Sequence, residues 1–415
     1  MKLTASTPVT IHAARHAMRW FTTMFRHIDG TLFLYIEYTY DAYFGPVMCL
    51  RSTDNGRTWT EQEENVPRLI WAHSFADGEY FEIDMDGFLH PREKDTYWYW
   101  GAWSFPGDPT RPVRKEFVKV LSPSTGTQTF LEMRTNFLTQ PTHPWWRILN
   151  TFELGAEKAL AEEERLGHPP VPKAFEDESK ILIGGIHFTA GFEHDGRLVG
   201  IGYGNDRFST PSNRTSVFCL ESRDRGRTWK EVSVVARAST ATPEGFNETG
   251  AVRLKDGRFY CVLRTGTVFY HTWSRDGGTT WTPPEPMRLI DSDHQPRKAW
   301  PVCKVLDDGT LVLAYGRPGK HIIFDPSGTG TQWQGRVDLQ ALELATQARN
   351  GVPPNLRLRG DTDKGIRQWD SGDYLFLAPV GPREMLVGYD VQYYVERAGA
   401  TPFFGVRMVR VRLED

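Results

Sequence analysis

The stretch STDNGRTW (residues 52–59) follows the apolar run GPVMCL and sets Ser, Asp, Gly and Thr at alternating positions before a Trp. It recurs as SRDRGRTW (222–229) and SRDGGTTW (274–281), each reading S-x-D-x-G-x-T-W. A longer relative, DPSGTGTQW, ends at Trp333. Internal repetition of this kind outranks other sequence clues. An Asp carboxylate can accept hydrogen bonds from backbone N–H groups a few residues on, and Gly supplies a position with positive φ, so the box reads as a tight turn between strands. Thr and Trp then begin the returning strand, with the Trp placed to pack between layers. Cys49 and Cys219 each stand three residues before the box Ser, as repeats of one unit require.

A second signal alternates with the first. HIDGTLFLYIEY, HDGRLVGIGYG, KDGRFYCVLRTG and DDGTLVLAYGRP each place Asp-Gly before an apolar strand, and DMDGFLHPREKDTYWYWGAW is a looser version. Asp-Gly between strands is a strong hairpin signal. The unit is therefore strand, Asp-Gly turn, strand, loop, strand, box, strand. Four antiparallel strands repeated around an axis form a β-propeller blade. Units near 19–60, 75–104, 185–230, 246–282, 298–334 and 372–413 predict an all-β, six-bladed β-propeller forming a single domain over 1–415. Two insertions interrupt it, about 105–180 and 335–365. Within them, 153–167 and 338–351 read as short helices, the second ended by Gly351.

Composition narrows the function. The 415 residues carry a formal net charge of -3, so no basic field points to nucleic acid or an acidic membrane surface. No run of apolar residues is long enough to span a membrane. The first twenty residues lack the apolar core of a secretion signal, and a cytoplasmic location is expected. Cys49, Cys219, Cys261 and Cys303 lie in apolar runs without metal-ligand spacing, which predicts buried free thiols. One carboxylate per box is too few oxygens for Ca²⁺, so the boxes read as structural.

The boxes, the Asp-Gly strands and their order resemble the sialidase (neuraminidase) superfamily, in particular the exo-sialidases of glycoside hydrolase family 33. The resemblance covers most of the chain outside 105–180. It implies an arginine triad, a Tyr–Glu nucleophile pair and an Asp acid/base. Arg19, ten residues before Asp29, matches the arginine that opens the first blade, although its neighbours read RWF where the family has Arg-Ile-Pro. Asp41 matches the acid/base. Glu248, in GFNETG, matches the base that partners the nucleophile. Arg264 and Arg317 match the second and third triad members, and Tyr374 the nucleophile. A further arginine usual after Glu37 is absent, since YTY follows it.

The implied chemistry is coherent. Three arginines suit the carboxylate that a 2-keto sugar acid carries on its anomeric carbon. That carboxylate would repel a carboxylate nucleophile but not a neutral Tyr hydroxyl, which needs an adjacent base because its pKa is near 10. The resemblance thus implies a retaining exo-glycosidase acting on an acidic glycan that ends in a sialic acid or a relative. No metal or cofactor is expected. Two alternatives are a β-propeller polysaccharide lyase using His and Tyr around a uronate, with His73, His90, His187, His194 and His321 available, and a non-catalytic glycan-binding propeller.

Overall fold

The computed structural model describes residues 1–14, 22–37, 47–62, 71–83, 87–90, 93–104, 114–129, 182–209, 214–238, 244–316, 319–357 and 374–415. Two strands, β1 (Lys2–Ala5) and β2 (Val9–Ala14), precede the first unit. That unit is β3 (Thr22–Arg26), β4 (Leu32–Glu37), β5 (Val47–Ser52) and β6 (Thr60–Glu61). The second is β7 (Trp71–Ser74), β8 (Tyr80–Ile83), β9 (Gly87–Leu89), β10 (Thr96–Trp103) and β11 (Arg114–Leu121), with β12 (Thr127–Thr129) and β13 (Leu182–Gly184) paired beside β9. The third is β14 (His187–His194), β15 (Arg197–Asn205), β16 (Thr215–Ser222) and β17 (Thr228–Ala236). The fourth is β18 (Asn247–Arg253), β19 (Phe259–Arg264), β20 (Tyr270–Ser274) and β21 (Glu285–Pro286). The fifth is β22 (Val302–Val305), β23 (Leu311–Gly316), β24 (Lys320–Asp325) and β25 (Gln334–Asp338), followed by helix α1 (Leu339–Arg349). The sixth is β26 (Leu375–Gly381), β27 (Glu384–Tyr394) and β28 (Phe403–Glu414). Units one, four and five are separate four-stranded sheets, whereas β11 pairs in parallel with β17 and merges units two and three into one sheet.

The box turns form as their residue types require. In the first, Asp54 Oδ1 accepts from the backbone N–H of Arg57 and Thr58, both at 2.9 Å, and Ser52 Oγ accepts from Gly56 N–H at 2.8 Å. Asp224 and Asp276 do the same for Thr228 and Thr280. In the longer fourth box Asp325 takes the Ser position, accepting from Gly330 N–H at 2.7 Å. The box glycines have φ of +74°, +90°, +90° and +83°, and each backs directly onto the preceding unit. A methyl group at Gly226 would lie 2.6 Å from Phe81, and one at Gly330 would lie 2.4 Å from Tyr260. The box tryptophans point the same way. Trp229 packs with Phe81 and Trp71 of unit two, and Trp333 donates to the Tyr260 hydroxyl of unit four at 3.0 Å. Each box is thus a hairpin turn that docks a Trp on the neighbouring sheet. Burying such a side chain contributes about 2–3 kcal/mol, against roughly 1 kcal/mol for a turn hydrogen bond, so docking dominates.

Apolar clusters fill the contacts between successive sheets. One joins units two and three, one three and four, one four and five, one five and six, and a smaller one units one and two. Another packs Leu32, Leu34 and Ile36 of the first unit against Phe376, Leu386 and Val406 of the sixth. The first strands β7, β14, β18, β22, β26 and β3 lie side by side in that order and together line one cavity of about 440 Å³.

The structure corrects the sequence reading in places. The Asp-Gly turn of unit two is Asp77–Gly78, between β7 and β8, with Glu79 N–H bonded to Asp77 Oδ1 at 3.1 Å. Gly87 instead opens β9. The outer strand β11 falls inside the expected insertion at 105–180: Val118 and Val120 are buried, and the sequence lacks a box to announce it. The helix expected at 338–351 is present, with the Asp338 carboxylate capping Ala341 N–H at 3.0 Å and Gly351 at φ +73° ending it. The helix expected at 153–167 lies outside the described residues. All four cysteines are free and buried, and burial pushes the Cys49, Cys219 and Cys303 thiols up to about 12. No helix among the described residues is long and apolar enough to cross a membrane.

The N-terminal strands were not anticipated. β1 and β2 both pair antiparallel with β28, so residues 2–14 complete the sheet of the sixth unit. Arg407, on β28 and 1% exposed, fixes this seam. It donates to Glu343 of α1 through Nε at 2.9 Å and Nη2 at 3.1 Å, to Thr10 Oγ1 at 2.6 Å and to the Pro8 carbonyl at 3.1 Å. Glu343, equally buried, also accepts from the Tyr389 and Tyr394 hydroxyls, each at 2.7 Å. Removing one member leaves a buried charge unpaired. Arg407→Met is expected to lower unfolding free energy in urea by about 3–5 kcal/mol, and adding Glu343→Leu to recover much of that loss.

Candidate active site

Three of the six residues singled out from sequence meet at one point. Asn247 sits opposite Arg264 and Thr249 opposite Leu263, which leaves Glu248 as the extra residue of a β-bulge at the start of β18. A bulge redirects a side chain that regular pleating would point elsewhere. Tyr374, immediately before β26, donates its hydroxyl to Glu248 Oε1 at 2.8 Å. Arg264, the last residue of β19, donates through Nη1 to Glu248 Oε2 at 2.5 Å. One carboxylate is thus held between a phenol and a guanidinium, and both Tyr374 and Glu248 are buried. Burial is the largest single influence on Arg264 and opposes its charge, but Glu248, Tyr374 and Glu244 together outweigh it and hold the guanidinium above the usual arginine range.

Two neighbours escaped the sequence reading. Glu244 packs over Gly266, and its Oε2 lies 3.6 Å from Arg264 Nη2 and 3.5 Å from Asn247 Nδ2. Asn247, noticed only as part of an Asn-Glu pair, presents a buried Oδ1 with no hydrogen-bond partner among the described residues. Arg264 Nε is buried and unpartnered in the same way. A donor and an acceptor on cross-strand partners are thereby left beside Tyr374 and Glu248. The signal for Glu244 was its place three residues before Asn247 in PEGFNE, but nothing in that pattern distinguishes it from a loop carboxylate.

Arg19, Asp41 and Arg317 lie outside the described residues. Tyr374 lines the cavity shared by the six first strands, which brings its hydrogen bond with Glu248 next to that cavity.

The histidines considered for lyase chemistry have structural partners. His73 lies 3.6 Å from Glu193, His194 3.2 Å from Asp195 and His90 3.8 Å from Glu93, while His187 stacks on Tyr203. His321 joins His294, Arg336 and Asp338 around a second cavity of about 610 Å³. There His294 Nε2 is 2.7 Å from the Tyr315 hydroxyl and Arg336 Nη1 is 2.8 Å from His294 Nδ1. A guanidinium only donates, so Nδ1 accepts and Nε2 carries the proton toward Tyr315. This imidazole is a donor to the phenol, not its base. Among the described residues no group of three or more His, Cys, Asp or Glu is placed to hold a metal ion.

Residues 179–352, units three to five, match the family described as BNR repeat-like domain. No curated protein sequence matches the chain. A protein of unknown function from Dyadobacter fermentans has a similar structure, with a TM-score of 0.59 at 16% identity over 99% of both chains. An α-L-arabinanase of Penicillium chrysogenum gives 0.54 at 13% identity over 98% of both chains. An α-L-arabinofuranosidase of Fusarium graminearum gives 0.53 at 13% identity over 98% of both chains. With the repeats and sheets above, these define an all-β protein of β-propeller-like fold built on BNR repeats. The match to BNR repeats covers the middle of the chain, and the likeness to these solved structures extends the propeller-like fold over nearly all of it.

The ion pair at the site has a stability consequence. Arg264→Ala leaves Glu248 buried with only the Tyr374 hydroxyl, and a loss of about 3 kcal/mol in urea unfolding is expected, while Tyr374→Phe changes stability by about 1 kcal/mol or less.

Proposed function

We propose that the six units form a closed, six-bladed β-propeller and that the chain is a retaining exo-glycosidase of sialidase type, releasing a terminal 2-keto sugar acid from a glycan. The observation that carries this reading is the 2.8 Å hydrogen bond from the Tyr374 hydroxyl to Glu248. A buried phenol aimed at a carboxylate, at the edge of a cavity, is a nucleophile with its base in place. Tyr374 attacks the anomeric carbon as its proton passes to Glu248 Oε1. The glycosidic oxygen leaves with a proton from an acid, the role assigned to Asp41. Water, deprotonated by that same group, then cleaves the glycosyl–Tyr374 bond and the phenol recovers its proton from Glu248. Arg264 positions Glu248 through Nη1, and its remaining N–H groups, with Arg19 and Arg317, are assigned to the substrate carboxylate. Glycosidases with a Tyr nucleophile are a recognised exception to the two-carboxylate rule.

The arabinanase and arabinofuranosidase of similar fold support glycoside cleavage as the reaction class. They also give a second reading, in which Glu248 itself attacks a neutral arabinofuranoside. Hydrolysis of methylumbelliferyl ketosides of several 2-keto sugar acids, alongside methylumbelliferyl α-L-arabinofuranoside, separates the two. The expected result is release from an acidic ketoside, reduced roughly a thousandfold in Tyr374→Phe. Arabinoside cleavage that survives Tyr374→Phe and is lost in Glu248→Gln would favour the second reading.

A further inference from the structure

The cavity beside Tyr374 has an unbalanced charge. Its described lining includes Lys304 and Arg26 but no Asp or Glu. Lys304 is the third residue of β22, an inner strand, and has no hydrogen-bond or ion-pair partner among the described residues. Its side chain is exposed, and the protein packed around it holds its ammonium below the ordinary lysine range. His73, in the facing wall, is engaged with Glu193 outside the lining. The remaining walls are largely apolar and aromatic, with Met24, Phe25, Trp71, Trp300 and Phe376. At about 440 Å³ the cavity is within the range of small-molecule sites, roughly 300–1,000 Å³.

We infer that this cavity is a binding site for a small sugar acid, with Lys304 as the counter-charge to its carboxylate and the aromatic wall against its ring. The inference rests on the proposed substrate class and adds a carboxylate partner that is neither in the Tyr374–Glu248–Arg264 cluster nor among the residues matched to the arginine triad. Arg264, engaged by Glu248, is not part of this lining. Arg26, at the end of β3, adds a second positive charge to the same lining.

Calorimetric titration of the full chain with N-acetylneuraminate, D-galacturonate and neutral L-arabinose tests this. At least one acid should bind saturably to the wild type, about tenfold or more weakly to Lys304→Met, and near wild-type strength to Lys304→Arg. Thermal unfolding of Lys304→Met should match or exceed that of the wild type, because the lost charge has no partner among the described residues. Equal affinity of an acid for Lys304→Met and wild type would overturn the inference, as would binding of arabinose alone. Ketoside hydrolysis with an unchanged KM in Lys304→Met would sink the cavity assignment and leave the proposed function standing. Lys304-dependent acid binding without turnover of any ketoside would do the reverse.

Discussion

Residues at opposite ends of the chain share one sheet, and Arg407 holds them there. β28 is flanked on one side by β27 and on the other by β1 and β2, so the sixth unit is complete only when the first fourteen residues return to it. The guanidinium of Arg407 joins β28, β2 and α1 through one buried group of hydrogen bonds. Bringing such distant segments together costs chain entropy, but that cost grows only slowly with loop length and the strand ladder offsets it. The sixth sheet in turn packs on the fifth and on the first.

The consequence for chemistry is that residues far apart in sequence meet without any local motif. Glu248 and Tyr374 belong to units four and six, with unit five between them. Their hydrogen bond exists because β18, β22 and β26 lie side by side around one cavity. The β-bulge at Glu248 then turns its carboxylate to receive both Tyr374 and Arg264. Rigid sheets thus supply the preorganisation, and a local irregularity supplies the aim.

Much of this was legible in the sequence. The boxes specified their own turns because Ser, Asp, Gly and Thr act within eight residues, and the tight approach of Gly226 to Phe81 explains why Gly is required there. Tyr374, Glu248 and Arg264 were singled out through the resemblance to exo-sialidases, and the fold brings the three side chains together. Other features depend on partners the local pattern does not name. β1 and β2 carry no turn signal and become strands only by pairing with β28. β11 lacks a box, and its pairing with β17 is parallel and distant in sequence. Glu244 looks like any loop carboxylate until Arg264 and Asn247 are placed beside it. Lys304 lies in a short strand, and its alternation with Cys303 says nothing of a cavity shared by six units.

The most direct measurement is capture of the covalent intermediate. An activated sugar-acid fluoride bearing a second fluorine beside the anomeric carbon should form the glycosyl-enzyme faster than it is hydrolysed. Mass spectrometry of the digested protein would then show one sugar-acid adduct, on the peptide containing Tyr374. An adduct on the peptide containing Glu248, or turnover of the reagent with no adduct on Tyr374, would contradict the account.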